Sequence, residues 1–358
     1  MDRMIDDHIE RTPFSDIPTD DRFLDSLRSS YPGFDDWMRR KSTAGEHAWI
    51  SRDRETGRLQ AMLYLKDEDG NDASCEPALH GPRVKIGTFK VDFDHHTSLG
   101  KRLLAIALRY FAESRRPYAY VTMHDAPNTK PLMSMLRQYG FERIGTKSGE
   151  QVWAKNRPTE TSGDPHRSFP FIDPEHDRAA LLAIIPKYYR RMFGDNRFRT
   201  EAGIPVEDEI PTNTIEKVYL SAAHEAVNLV PGDRIVIYRT AVEPGRAEYQ
   251  SVVSDICTVT DVRRVSTFRT RQEFIDYLKG RSVFTDGELE YFWSSKRYPW
   301  IISMLYNFPL NRRPTRHQLV EEGVIGRQRL VCSFLDAERF KTILRLGEAD
   351  EGYAVDQA

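Results

Sequence analysis

The chain has 358 residues, of which 39% are hydrophobic, 11% aromatic and 30% charged, with a net charge of −2; this suits about two domains and excludes disorder throughout. The longest uncharged stretch, Tyr298 to Asn311, has 14 residues and two prolines, too short for a membrane helix of about 20, and the acidic start MDRMIDDHIE is not a signal peptide. Three isolated cysteines without CxxC spacing argue against a disulfide framework or a cysteine-based zinc site, so a cytoplasmic protein with no membrane partner and no metal is expected.

In chain order, Arg22–Arg40 reads as a helix, with Leu24, Leu27, Tyr31 and Phe34 at helical spacing. Glu46–Ser51 and Leu59–Lys66 read as a strand pair, and Val84–Phe93 alternates as a strand does. Leu99–Glu113 follows as an amphipathic helix, with Leu103, Leu104, Ala107, Leu108 and Phe111 on one face. Tyr118–Met123 is a strand, Thr129–Tyr139 a helix stopped by Gly140, and Phe141–Ile144 and Gln151–Ala154 are short strands. Lys155–Pro170, rich in Pro, Ser and Thr, reads as a linker between a domain at 1–154 and one at 171–358. Beyond it, Ala179–Phe193 reads as a helix, and Lys217–Ser221, Arg234–Arg239, Tyr249–Asp261 and Ser333–Phe334 as strands. Arg271–Gly280 and Asp286–Phe292 read as helices, the second opened by a capping box of Thr285 and Glu288. Few parallel-type crossovers in this half suggest a small barrel decorated by helices.

Charge is unevenly spread. Residues 1–50 carry 11 acids and 7 bases, whereas residues 296–345 carry 10 bases and 4 acids. A basic rear suits either a polyanion partner or a solvated helical surface.

The stretch KIGTFKVDFDHHTSLGKRLL, Lys85–Leu104, takes a strand through a polar loop into a helix. The first N–H groups of such a helix have no partner and lie at its positive end, where a pyrophosphate binds well. The order of elements, with QYGFERIG closing the second helix, resembles the GNAT family of acetyl-CoA-dependent N-acetyltransferases. The resemblance implies a mixed α/β sheet and an acetyl-CoA site made of Val91, His95, His96, Thr97, Ser98, Leu99, Gly100, Lys101 and Asn128. The family's Gln/Arg-x-x-Gly-x-Gly/Ala loop falls on His95, Ser98 and Gly100, so His95 and Ser98 depart from it. Leu136 stands where many members have the tyrosine that protonates the leaving thiolate. The general acid is then His124 or Tyr139, and the base Asp92, Asp94 or a water.

In the rear half, Pro231-Gly232-Asp233 launches a strand ending in Tyr238-Arg239-Thr240. This resembles the ASCH/EVE group of PUA-like barrels, which implies a second α+β domain and a partner that is RNA, tRNA above all, or a modified nucleobase. Arg239 suits a bidentate phosphate or base contact, Tyr238 a stacked base, and Arg263 and Arg264 the nucleic-acid backbone. Trp293 and Trp300 are assigned to the core. The order of the two halves resembles bacterial proteins found in settings like toxin–antitoxin modules, which implies an antitoxin protein as a partner. Three functions remain open: N-acetylation of an RNA-linked amine, N-acetylation of a protein or small amine with the barrel binding a partner, and RNA-binding regulation with a degenerate acetyltransferase domain.

Overall fold

A computed structural model describes residues 8–53, 55–92, 99–176, 178–193, 215–243 and 245–355 of the chain, in two units, Met1–Asn156 and Arg157–Ala358. The first unit runs β1 (Ile9–Pro13), α1 (Asp25–Ser30), α2 (Phe34–Thr43), β2 (His47–Arg52), β3 (Leu59–Glu68), β4 (Cys75–Glu76) and β5 (Arg83–Val91). It continues with α3 (Leu99–Ser114), β6 (Tyr118–Met123), α4 (Lys130–Gln138), β7 (Glu142–Lys147) and β8 (Glu150–Asn156). Its strands form one sheet, β1-β2-β3-β5-β6-β8-β7-β4, in which β5 and β6 are parallel and the other neighbours antiparallel. Parallel neighbours need a crossover, and α3 supplies it. Its stripe of Leu103, Leu104, Ala107, Leu108 and Phe111 is buried, and it packs on β3 and β5. A second cluster, including Phe14, Phe34, Met38, Ile50, Met62 and Tyr64, lies under α2.

Arg22–Arg40 is not one helix. A short 3-10 turn, Arg22–Leu24, precedes α1, and Pro32 and Gly33 separate α1 from α2. Pro32 has no N–H to give, and Gly33 takes φ +86°, a conformation that side chains disfavour.

The second unit runs α5 (Pro165–Ser168), β9 (Ala179–Ile184), α6 (Pro186–Met192), β10 (Glu216–Ser221), β11 (Arg234–Arg239), α7 (Ala247–Gln250) and β12 (Val252–Arg264). It continues with α8 (Arg271–Leu278), α9 (Asp286–Ser295), β13 (Trp300–Pro309), α10 (Arg316–Glu321), β14 (Cys332–Leu335) and α11 (Ala337–Leu346). Six strands form a mixed sheet, β10-β13-β12-β11-β9-β14, parallel only at β11·β9. Side chains from all six, among them Leu182, Leu220, Ile235, Cys257, Ile302 and Cys332, meet in one apolar cluster. The fold class is therefore a mixed α/β unit followed by an α+β unit. The capping box of Thr285 and Glu288 opens α9, Trp300 is buried, and Trp293 packs against the cluster half-buried.

Two expectations are corrected here. Ala179–Phe193 is a strand and then a helix: AALLAI lies between β11 and β14 and is largely buried, which erases the alternation that marks a strand. Pro186 then stands at the start of α6, where its missing N–H costs nothing. The stretch at 155–170 is not a bare linker. Lys155 and Asn156 end β8, Asp164 caps α5 by accepting from His166 N–H at 3.0 Å, and Phe169, Phe171 and Ile172 are buried. Among the described residues no helix is long and apolar enough to cross a membrane.

Candidate active site

β5 and β6 are paired only over Val84–Ile86 opposite Ala119–Val121. One residue further, Gly87 is an extra residue in β5, because Leu65 pairs with Ile86 and Tyr64 with Thr88. A bulge bends its strand and increases the local twist. Beyond it β5 stays with β3 up to Val91, while β6 stays with β8 up to Met123. The two parallel strands lose each other, and a wedge opens at their carboxyl ends, where open α/β sheets take ligands. Space dictates glycine at the bulge: a Cβ at residue 87 would lie 2.7 Å from Tyr64 Cδ1. That ring is pinned, since its hydroxyl bonds Glu46 and the Lys41 ammonium and it packs in T-shaped contact with Phe14 and Trp37.

On its β6 side, β5 has no strand partner after Ile86 among the described residues. An unpaired strand edge offers N–H and C=O groups to an extended ligand that carries amides. Val91 ends this edge half-buried, and Asp92 follows, its N–H donating to the Gln60 carbonyl at 2.7 Å. His95, His96, Thr97 and Ser98, with Asp94, lie outside the described residues. Leu99 opens α3 fully buried. Gly100 lies against α4, where a Cβ would be 3.8 Å from Met135 Cε, an ordinary contact. Lys101 is half-buried, and α3 has no acid in its first turn, which suits an anion there. Asn128 is exposed in the 3-10 turn Pro127–Thr129 that leads into α4.

His124 directly follows β6, at the open end of the wedge, and is half-buried. Its ring stacks on Tyr31, with centroids 5.5 Å apart and planes at 29°. The Tyr31 hydroxyl donates to Glu150 Oε1 at 2.7 Å. Burial, then the bond and charge of Glu150, push this phenol well above its ordinary range, so it stays protonated at neutral pH. Tyr31 and Glu150 are 119 residues apart, and neither bears a local mark; at helical spacing Tyr31 reads as an ordinary core residue. Tyr139 follows α4 with no exposed surface, and its carbonyl accepts from Lys155 Nζ at 2.8 Å. A proton donor has to meet its substrate, so of the two acid candidates His124 is the one with access.

In the second unit the expected nucleic-acid residues do not converge. Tyr238 and Arg239 are each only 3% exposed; Arg239 donates to the Gln250 carbonyl at 3.1 Å, and Arg316 reaches the Tyr238 hydroxyl at 3.4 Å. Thr240 is half-buried, its N–H donating to the Ile184 carbonyl at 3.0 Å. Arg239 pairs with Val252 at the start of β12, whereas Arg263 and Arg264 are exposed at its end, roughly 35–40 Å away along the strand. Arg263 bonds Asp261 at 2.6 Å and lies over Tyr277, and Arg264 lies over Trp300. In the basic rear, Arg312, Arg339, Lys341 and Arg345 are held in surface ion pairs.

No family model matches the chain, and no curated protein matches it in sequence. Among solved structures, a Pyrococcus horikoshii protein is 12% identical, with a TM-score of 0.31, covering 42% of this chain and 98% of its own. A putative GNAT-family acetyltransferase of Desulfovibrio desulfuricans is 11% identical, with a TM-score of 0.30, covering 42% of this chain and 99% of its own. An ASCH protein of Zymomonas mobilis is 12% identical, with a TM-score of 0.30, covering 49% of this chain and 96% of its own.

Proposed function

We propose that the chain is an acyltransferase that moves an acetyl group from acetyl-CoA to an amine. One observation carries this: the parallel strands β5 and β6 part at the Gly87 bulge, and the long helix that follows β5 packs on β3 and β5. The free edge of β5 up to Val91 would hold the amide-bearing arm. Leu99, Gly100 and Lys101 would face the pyrophosphate through the first turn of α3, with Asn128 on the neighbouring turn. Acetyl-CoA supplies the acetyl group as a thioester. In the transfer a C–N bond forms and the C–S bond breaks, the amine gives up a proton, and the leaving sulfur needs one. His124 would hold that proton, and the stack on Tyr31, itself tied to Glu150, supports this by fixing the imidazole plane. Asp92 is the carboxylate next to the strand edge and would serve as the base. Holding the amine beside the acyl carbon supplies much of the remaining acceleration.

The acceptor in this proposal is an RNA-linked amine, on an aminoacyl-tRNA or a nucleobase. The excess of bases over residues 296–345 supports it, with Lys296, Arg297, Arg327 and Arg329 among its exposed bases. Acetylating an aminoacyl-tRNA would remove the nucleophile that peptide-bond formation needs, a toxin's effect that calls for an antitoxin partner. Calorimetry with CoA tests the site. Gly100→Glu adds an anionic side chain to the first turn of α3 and is expected to weaken binding at least a hundredfold; unchanged affinity in a folded variant refutes the site. Labelled acetyl-CoA offered to total tRNA and to protein extract tests the acceptor, and label found only in protein removes RNA.

A further inference from the structure

We infer that the second unit carries a binding site for a phosphate group, built around Arg234 and independent of the acyl-transfer proposal. A cavity of about 210 Å³ is lined by Arg234, Thr258, Ser162, Ser168, Thr161 and His176 among others. It lies at the start of β11, whereas Tyr238 and Arg239 lie at that strand's end.

Arg234 is only 3% exposed. Its Nη1 donates to the Gly232 carbonyl, while its buried Nε has no hydrogen-bond partner. The adjacent carboxylate accepts no hydrogen bond from it and acts on it only through space. Asp233 takes Arg178 in bidentate fashion, Nε to Oδ1 at 2.7 Å and Nη2 to Oδ2 at 3.0 Å, and also accepts from Val230 N–H at 2.9 Å. Asp173 acts on Arg234 only through space, and its side chain accepts from Glu175 N–H at 2.9 Å. Among the described residues, the guanidinium is thus enclosed with one carbonyl contact and no carboxylate bonded to it. Burial pulls its pKa down to about 10, so it still carries its charge at neutral pH. Buried charges are otherwise paired, and a planar fork of N–H donors matches an oxyanion better than any neutral ligand.

The remaining walls suit the same ligand. Ser168 Oγ accepts from Ser162 N–H at 2.7 Å, and Ser162 Oγ accepts from Asp164 N–H at 3.2 Å, so both hydroxyl hydrogens are left to donate. His176 Nδ1 accepts from Arg178 N–H at 3.1 Å, which puts the proton of the neutral ring on Nε2. The cavity is below the roughly 300–1,000 Å³ of sites for drug-sized ligands. It fits a free phosphate or the phosphate of a small monoester.

The test titrates the full chain with inorganic phosphate, with ribose 5-phosphate and with sulfate at constant ionic strength, by calorimetry and by thermal melting. Wild type is expected to bind one equivalent saturably and to melt higher as it does. Tighter binding of the ester identifies a monoester ligand; tighter binding of inorganic phosphate identifies the free ion. Arg234→Gln is expected to bind at least tenfold more weakly, Arg234→Lys to fall between, and the exposed control Arg246→Gln to match wild type. Absence of saturable binding by wild type, or equal affinity in wild type and Arg234→Gln, overturns the site. Should Arg234→Gln fail to fold, Ser168→Val removes one donor from the wall; a loss of at least threefold is expected, and undiminished affinity overturns the site equally.

Discussion

Gly87→Ala isolates the device that opens the wedge. The added Cβ would lie 2.7 Å from Tyr64 Cδ1 and 3.1 Å from Cε1, against roughly 3.5–4 Å for an unstrained carbon contact. The ring has nowhere cheap to go. Its hydroxyl is shared by Glu46 and Lys41, and its ring centroid lies 5.3 Å from that of Phe14 and 5.6 Å from that of Trp37. Either this network shifts by most of an ångström or β5 does. Overpacking of this kind costs roughly 1–3 kcal/mol. At about 2–4 °C per kcal/mol for a unit of this size, melting should fall by roughly 2–12 °C. If β5 moves, the wedge changes shape, so CoA affinity should fall together with stability. Scanning calorimetry and CoA titration on the same preparation read both effects. A variant within about 0.5 kcal/mol of wild type, with unchanged CoA affinity, would refute both the rigidity of Tyr64 and the role of the bulge.

Two other substitutions probe local supports. Lys147, bonded to Asp72 at 2.6 Å, and then Ser74 hold the Asp72 carboxyl well below the ordinary carboxylate range. A depressed folded pKa gives stability that is complete above the unfolded value of about 3.9 and is lost as pH falls through the folded value. Asp72→Asn should therefore be less stable than wild type at pH 6, with the gap shrinking steadily below about pH 4; a urea-unfolding gap constant from pH 6 to pH 2 refutes this. Thr285→Ala removes the hydroxyl that caps α9 and should cost about 1 kcal/mol by denaturant unfolding. No change would mean that the ion pairs of Glu288 with Lys187 and Arg191 hold the helix start unaided.

The sequence by itself determined the elements whose evidence is local. Tyr118–Met123 and Arg234–Arg239 are strands over the residues expected, and the stripe of Leu103, Leu104, Ala107, Leu108 and Phe111 places α3, because side-chain spacing within one element records which face is buried. Local spacing fails where a strand is covered on both faces: AALLAI in β9 and WIISMLYNFP in β13 show no alternation, so the first reads as helix and the second as an uncharged run. Only the tertiary structure decided what depends on distant pairing. The Gly87 bulge exists because β3 and β5 meet out of step, and the stacking of His124 on Tyr31, anchored by Glu150, joins three separate segments. The pairing of Arg178 with Asp233, which leaves Arg234 enclosed beside a cavity, does the same over 55 residues. Periodicity along a chain encodes burial; which polar group meets which is settled only when the strands have paired.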